Sequence, residues 1–161
     1  MERFDRSYTF KPIRPMSNKV VPFLWFNNNV EEAVTFYTSV FKDSEIIHLN
    51  KMNSVFRVNG QELYAFNGGP HFTFTEAISL FINCDTQEEV DYYWEALSKG
   101  GEKSRCGWLK DSFGLSWQVV PAILGKLMND PDPVKSKRVV DALMQMTKLD
   151  IAALEQAYKA S

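Results

Sequence analysis

The first half of the chain alternates between short apolar runs and polar turns. Residues 20–27, VVPFLWFN, form an apolar run typical of a buried strand, and residues 30–41, VEEAVTFYTSVF, space their apolar side chains as an amphipathic helix does. Three runs rich in β-branched and aromatic residues follow, SEIIHLN, SVFRVN and ELYAF. Asn59-Gly60 between the last two is a typical hairpin turn. The pattern predicts one βαβββ unit.

The same order of elements returns in the second half. It begins with the strand-like run AISLFINC, continues with the helical segment TQEEVDYYWEALSKGG and closes with LSWQVVP. Sliding the first half by about 57 positions places Leu24 on Phe81 and Tyr37 on Trp94 without a gap. Because the strand, the turn and the apolar face of the helix all match, we expect two copies of one βαβββ unit.

Outside the repeat, the two ends of the chain differ in character. Pro12 and Pro15 block a regular element near the start, whereas Asp132 and Asp150 are suitable N-caps for helices near the end. The predicted parts are an N-terminal arm at 1–18, paired units at about 19–67 and 76–121 within 19–121, and C-terminal helices of the same domain at 122–161.

Composition and charge narrow the class of partner. The 161 residues are 45% hydrophobic and 24% charged, and the net charge of −2 gives no basic surface for a phosphate backbone. No run approaches the roughly 20 apolar residues of a membrane span, and residues 1–17 lack the apolar centre of a secretory signal. We therefore expect a cytoplasmic protein with a small-molecule partner, no nucleic acid and no membrane.

Several segments carry a family resemblance; they are WFNNNVEEAVTFYTSVF, AFNGGPHFTFTEAISLFINCDTQEEVDYYWEAL, CGWLKDSFGLSWQVVP and TKLDIAALEQAY. Over about residues 19–159 the chain resembles the PhnB-like branch of the vicinal oxygen chelate (glyoxalase/bleomycin resistance/dihydroxybiphenyl dioxygenase) superfamily. This branch is commonly labelled 3-demethylubiquinone-9 3-methyltransferase. The resemblance implies an α+β fold in which two βαβββ modules form a curved, mixed, glyoxalase-like sheet. It also implies a homodimer, in which a second chain completes a cup.

The resemblance also implies where a metal ion would bind. Metal-dependent members take one ligand from the first and last strands of each unit, and these positions fall on Pro22, Ser79, Tyr64 and Gln118. Only Gln118 is of a type that the metal enzymes use. Divalent ions need enough anionic oxygens, imidazoles or thiolates to replace their hydration. We therefore expect a cup without a metal ion and without a cofactor.

The methyltransferase label implies S-adenosylmethionine, which is normally bound by a glycine-rich turn between a strand and a helix. Gly68-Gly69 sits between a strand and an aromatic loop, and Gly100-Gly101 ends a helix. Backbone geometry explains both pairs. Methyl transfer is therefore disfavoured.

Aromatic residues make up 14% of the chain and suit a planar or amphipathic ligand held by stacking. A core rich in phenylalanine gives the same pattern, so only some of these rings are expected to face the cup. The predicted ligand-binding residues are Trp25, Tyr64, Phe66, Ser79, Phe81, Trp108, Trp117 and Gln118.

Two classes of function remain open. The first is a binding protein, such as a sequestering or resistance-type module, with a cup free of metal. The second is an enzyme of the superfamily, an isomerase, a dioxygenase or the labelled methyltransferase, with Cys106, His71 or Tyr64 as its chemical group. Lys103 and other nearby cations could activate Cys106 as a thiolate, although a packing role is the simpler expectation. Asp111 is expected to accept hydrogen bonds in a turn.

Overall fold

Two units with the same order of elements are followed by three helices in the computed structural model, which describes residues 20–160. The first module consists of β1 (Phe23–Phe26), α1 (Val30–Val40), β2 (Ser44–Leu49), β3 (Asn53–Val58) and β4 (Gln61–Asn67). The second consists of β5 (Leu80–Cys84), α2 (Gln87–Ser98), β6 (Glu102–Lys103), β7 (Trp108–Lys110) and β8 (Ser116–Pro121). The tail consists of α3 (Ile123–Met128), α4 (Pro133–Leu143) and α5 (Ile151–Lys159).

Each module forms its own four-stranded mixed sheet. The strand orders are β1-β4-β3-β2 and β5-β8-β7-β6. The first strand of each module pairs in parallel with the last, and the other neighbours are antiparallel. The predicted α+β class with two βαβββ modules and C-terminal helices is confirmed. The predicted N-terminal arm lies outside the described residues.

The two helices of the modules pack into one common core. Tyr37 of α1 stacks on Phe56 of β3 and contacts Trp117 of β8, with ring centroids 6.1 and 5.6 Å apart. In α2, Trp94 and Leu97 are buried in the same apolar cluster. The helices thus cover one face of each sheet, where burial of large apolar side chains supplies the main stabilisation.

The other face of each sheet is turned away from α1 and α2, because successive side chains of a strand point to opposite faces. The register sets which residues share that face, since Phe23 lies opposite Tyr64 and Phe81 lies opposite Gln118. We call these surfaces the first open face, which carries Phe23, Trp25, Tyr64 and Phe66, and the second open face, which carries Ser79, Phe81, Trp108 and Gln118.

The repeat between the modules is not free of gaps. Tyr37 and Trp94 match at the predicted spacing, but buried Leu24 matches buried Ile82, one position beyond Phe81. The reason is the turn before each helix, which spans residues 27–29 in the first module and 85–86 in the second. The predicted match of Leu24 with Phe81 is therefore wrong by one residue, and a one-residue slip exchanges the two faces of a strand.

The local signals at turns and helix ends are confirmed. Asn59 and Gly60 both have positive φ, 45° and 78°, as a tight hairpin with a primed turn requires. The Asp132 side chain accepts hydrogen bonds from the first-turn amides of α4, and the Asp150 side chain accepts one from Ala153 N at 2.8 Å. Both predicted N-caps act as such.

The tail packs against the second module around a smaller apolar cluster that includes Val120, Val139 and Leu154. Backbone hydrogen bonds join Cys106 N to Met146 O and Gly107 N to Thr147 O, each at 2.9 Å. The tail is therefore tied to the second sheet through its backbone. Among the helices of residues 20–160, none is both long and apolar enough to cross a bilayer.

Candidate ligand-binding site

The first open face is a patch of aromatic rings. Phe23 lies 6.3 Å from Tyr64 and 6.4 Å from Phe66, and Trp25 lies 5.4 Å from Phe66, measured between ring centroids. Phe72 from the loop after β4 adds an edge-to-face contact with Trp25 at 5.0 Å. Phe23 and Phe72 are 61% and 66% exposed. Trp25, Tyr64 and Phe66 are predicted ligand-binding residues, whereas Phe23 and Phe72 were not predicted from the sequence.

The loop after β4 holds Trp25 in place. Its Nε1 donates a hydrogen bond to Gly69 O at 2.9 Å, and its ring lies directly over Gly68. A Cβ at Gly68 would lie 2.0 Å from Trp25 Cζ2, so only glycine fits below the ring. His71, one of the predicted chemical groups, is an exposed residue of the same loop.

The second open face is more polar. Gln118 on β8 lies opposite both Phe81 on β5 and Trp108 on β7, and its Nε2 donates to Ser79 Oγ at 2.9 Å. Phe81 is 52% exposed. This bonded amide and hydroxyl pair leaves the Gln118 carbonyl oxygen and the second amide hydrogen for other partners.

The predicted ligand-binding residue Trp117 does not belong to either open face. It lies opposite Leu80 and Leu109, on the helix side of the sheet, and is 2% exposed. Its Nε1 donates to Asp111 Oδ2 at 2.8 Å. Because side chains alternate along β8, Gln118 faces outward and its neighbour Trp117 faces the core.

Asp111 connects the two modules inside the core. Its Oδ2 accepts hydrogen bonds from Tyr37 Oη and Trp117 Nε1, each at 2.8 Å. Its Oδ1 accepts from the amides of Phe113 at 2.9 Å and Leu115 at 3.1 Å, which confirms the predicted turn role. The partner Tyr37 comes from α1, 74 positions away, and the sequence analysis missed it.

The electrostatics around Asp111 follow from its burial. Desolvation raises the pKa of the Asp111 carboxyl above its ordinary value, although the four hydrogen bonds oppose this shift. Burial and the neighbouring Asp111 charge raise the pKa of Tyr37 well above its usual value. Tyr37 donates and Asp111 accepts, so the pair joins helix α1 to the connection between β7 and β8.

The other predicted chemical groups are not brought together at one place. Tyr64 lies on the first open face, whereas Cys106 contacts the tail through Leu143 O at 3.5 Å and Met144 Sδ at 3.9 Å. Lys103, expected near Cys106, is engaged with Glu95 at 2.9 Å. Cys106 is half-buried and adopts an unusual positive φ of 57°. Its contacts assign it to the packing of the tail.

A row of charged residues, not predicted from the sequence, also crosses the first open face. Glu45 on β2 lies opposite Arg57 on β3, which lies opposite Glu62 on β4. The Arg57 guanidinium donates to Glu45 Oε2 at 3.0 Å and to Glu62 Oε2 at 3.1 Å. The signal was available in the alternation of β4, since Glu62 and Tyr64 are two residues apart and share a face.

The positions that hold a metal ion in related enzymes do not fit one in this chain. After the one-residue correction, Val21 replaces Pro22, and the set becomes Val21, Ser79, Tyr64 and Gln118. These residues offer neutral oxygens or none, whereas divalent ions are held by carboxylates, imidazoles or thiolates. Within residues 20–160, no three His, Cys, Asp or Glu side chains are grouped to hold a metal.

Comparison with protein families gives a match over residues 18–120 to the family described as 3-demethylubiquinone-9 3-methyltransferase. The chain belongs to this PhnB-like family. Comparison with curated proteins gives no match. The predicted family resemblance is confirmed, and the region matched holds both modules up to β8.

Solved structures agree with this assignment. The PhnB protein of Bacillus cereus is 33% identical, with 65% of this chain and 100% of that chain covered and a TM-score of 0.62. A protein of Pseudomonas aeruginosa is 23% identical over 65% of this chain and 98% of its own, with a TM-score of 0.55. The fosfomycin resistance protein FosX of Listeria monocytogenes is 18% identical over 70% of this chain and 98% of its own, with a TM-score of 0.53. The glyoxalase-like fold is thereby confirmed.

The family description names methyl transfer, which normally uses a glycine-rich turn between a strand and a helix. In this PhnB-like chain, Gly68-Gly69 follows β4 and carries the ring of Trp25. Gly100-Gly101 lies between α2 and β6, where a Cβ at Gly101 would lie 2.1 Å from Lys110 O. Packing within the chain explains both pairs, so they do not fit a site for S-adenosylmethionine.

Proposed function

We propose that this PhnB-like protein binds a small aromatic or amphipathic molecule in a cup without a metal ion. The observation that carries the proposal is the first open face, where five aromatic rings contact one another on a sheet surface that no helix of residues 20–160 covers. Contiguous exposed apolar patches mark interaction sites, and aromatic rings bind planar ligands through stacked and edge-to-face contacts.

We further propose that a second copy completes the cup in a homodimer. Each open face points away from the common core, and within residues 20–160 neither α1 nor α2 covers it. A two-fold axis would set the first open face of one copy against the second open face of its partner, and the reverse contact would follow from symmetry. The ligand would then lie between stacking rings on one side and the Ser79 and Gln118 polar pair on the other.

The binding proposal can be tested with 2-(2-naphthyl)ethanol, a neutral aromatic probe. We expect it to change the tryptophan fluorescence of the protein, because Trp25 and Trp108 lie on the open faces. Phe66→Ala should weaken binding by about tenfold, the effect of losing one buried aromatic contact. Tyr92→Ala removes an exposed ring from α2 and serves as the matched control. Binding that Phe66→Ala leaves unchanged would overturn the proposed site.

The metal-free part of the proposal has its own test. Purified protein is equilibrated with Mn²⁺ or Zn²⁺, passed through a desalting column and assayed for bound metal. We expect no retained metal, and one tightly held equivalent per chain would contradict the proposal. Sedimentation equilibrium of the same samples would give the oligomeric state, where a monomer at micromolar concentration would contradict the homodimer.

A further inference from the structure

The charged row on the first open face has two carboxylates for one guanidinium. Arg57 gives one hydrogen bond to Glu45 and one to Glu62, at 3.0 and 3.1 Å, instead of a two-pronged contact with either. Its side chain is 30% exposed. The row therefore carries a net negative charge, and its single cation is held by one bond on each side.

Glu62 is the unusual member of this row. Its side chain is 5% exposed, compared with 54% for Glu45. While Oε2 accepts from Arg57, Oε1 is buried and has no hydrogen-bond partner. A buried carboxylate oxygen without a donor is costly, and such groups are rare in folded proteins. A donor that reaches Glu62 Oε1 would therefore be bound strongly.

Glu62 stands beside the aromatic rings. Residues i and i+2 of a strand share a face and lie about 7 Å apart. Glu62 and Tyr64 are two such residues of β4. Tyr64 in turn contacts Phe23. A ring stacked on these two side chains could reach Glu62 Oε1 with an amine on a tether of two carbon atoms, while Arg57 keeps its bond to Oε2.

We propose that the first open face selects an aromatic ligand that carries a cationic amine on a short tether, and that Glu62 Oε1 accepts the hydrogen bond of this amine. The inference rests on the proposed function, because the ring must first bind to the open face. It goes further by naming the chemical class of the ligand and the group that recognises its charge.

The test compares three probes with the same ring. They are 2-(2-naphthyl)ethylamine, which is a cation at neutral pH, its neutral N-acetyl derivative, and the anion 2-naphthylacetate. We expect the wild-type protein to bind the amine about tenfold more tightly than the N-acetyl derivative, as a charge-assisted hydrogen bond implies. Titration calorimetry would give the three dissociation constants.

Glu62→Gln keeps the shape of the side chain and removes its charge. We expect this variant to bind the amine and the N-acetyl derivative with dissociation constants within about twofold of each other, because the charge assistance is lost. Glu88→Gln makes the same chemical change at an exposed position of α2 and should retain the full preference. Circular dichroism and the melting temperature would confirm that both variants fold. If Glu62→Gln does not fold, the wild-type comparison of amine and N-acetyl derivative still decides whether the face selects a cationic amine.

The outcomes separate this inference from the proposed function. Equal binding of all three probes, or a preference for 2-naphthylacetate, would overturn the amine inference and leave the aromatic site in place. A preference for the amine that Glu62→Gln retains would overturn the role of Glu62. If none of the probes binds at millimolar concentration, the proposed function fails first.

Discussion

The two modules share a topology but differ on their open faces. Core positions keep their character, as Tyr37 and Trp94 show, because both rings must fill the space between helix and sheet. Open-face positions diverge, since Tyr64 of the first module corresponds to Gln118 of the second. Packing against the helices therefore constrains the residue types on only one face of each sheet. The side chains on the open face can differ between the modules.

The modules also differ in their last hairpins. The β3–β4 turn of the first module consists of Asn59 and Gly60, whereas the β7–β8 connection of the second is longer and sends Asp111 into the core. Asp111→Ala would leave Tyr37 Oη and Trp117 Nε1 buried without an acceptor. We expect a loss of about 3 to 5 kcal/mol in the free energy of unfolding, measured by urea denaturation.

The matched change in the first module is Asn59→Ala. Asn59 has a φ of 45°, which alanine adopts at a cost of about 1 kcal/mol. Because its turn, in the described part of the chain, makes no contact with the other module that is comparable to that of Asp111, we expect only this smaller loss. Equal losses for Asp111→Ala and Asn59→Ala would refute the view that the second hairpin joins the modules.

Gly68→Ala tests the aromatic character of the first open face. The new methyl group would collide with the Trp25 ring and break its hydrogen bond to Gly69 O. We expect a loss of about 2 kcal/mol, as for overpacked sites, together with a shift of the tryptophan emission. Gly125→Ala in α3 meets no atom within 4 Å and should be neutral or stabilising by up to about 1 kcal/mol. An unchanged emission spectrum in Gly68→Ala would contradict the packing described for Trp25.

The smallest expected difference concerns the starts of α1 and α2. The Thr86 side chain accepts a hydrogen bond from Glu89 N at 3.3 Å, whereas Asn29 makes no such bond with its side chain. Asn67 of β4 accepts from Val30 N at 3.1 Å. Thermal unfolding should therefore show a loss of about 1 kcal/mol for Thr86→Ala and less than about 0.5 kcal/mol for Asn29→Ala. The reverse order would refute this assignment of the caps.

The sequence was sufficient for features that depend on local chemistry. The caps Asp132 and Asp150 and the Asn59-Gly60 turn could be predicted because each uses backbone groups a few residues away. The face of a strand residue is harder to predict, since a single extra residue in the turn at 27–29 exchanges inward and outward positions. Trp117 and its neighbour Gln118 were both predicted to bind the ligand, although adjacent residues of a strand point to opposite faces and only Gln118 lies on the open one.

Contacts between distant parts of the chain could not be predicted in the same way. The Tyr37 and Asp111 hydrogen bond joins residues 74 positions apart, and no local pattern signals it. A buried tyrosine hydroxyl does need a partner, which limits the candidates to polar residues of the core. The charged row of Glu45, Arg57 and Glu62 depends on the register of three strands, which the sequence analysis did not resolve.

The attachment of the tail has a consequence for the order in which the protein is made. The amides of Cys106 and Gly107 find their acceptors in Met146 and Thr147, about 40 residues later in the chain. On the ribosome, the first module can close its sheet once β4 has emerged, because every strand of that sheet is then present. The second module acquires all its backbone hydrogen bonds only after the tail has been synthesised. The two modules of a duplicated fold thus have all their backbone hydrogen-bond partners at different points of synthesis.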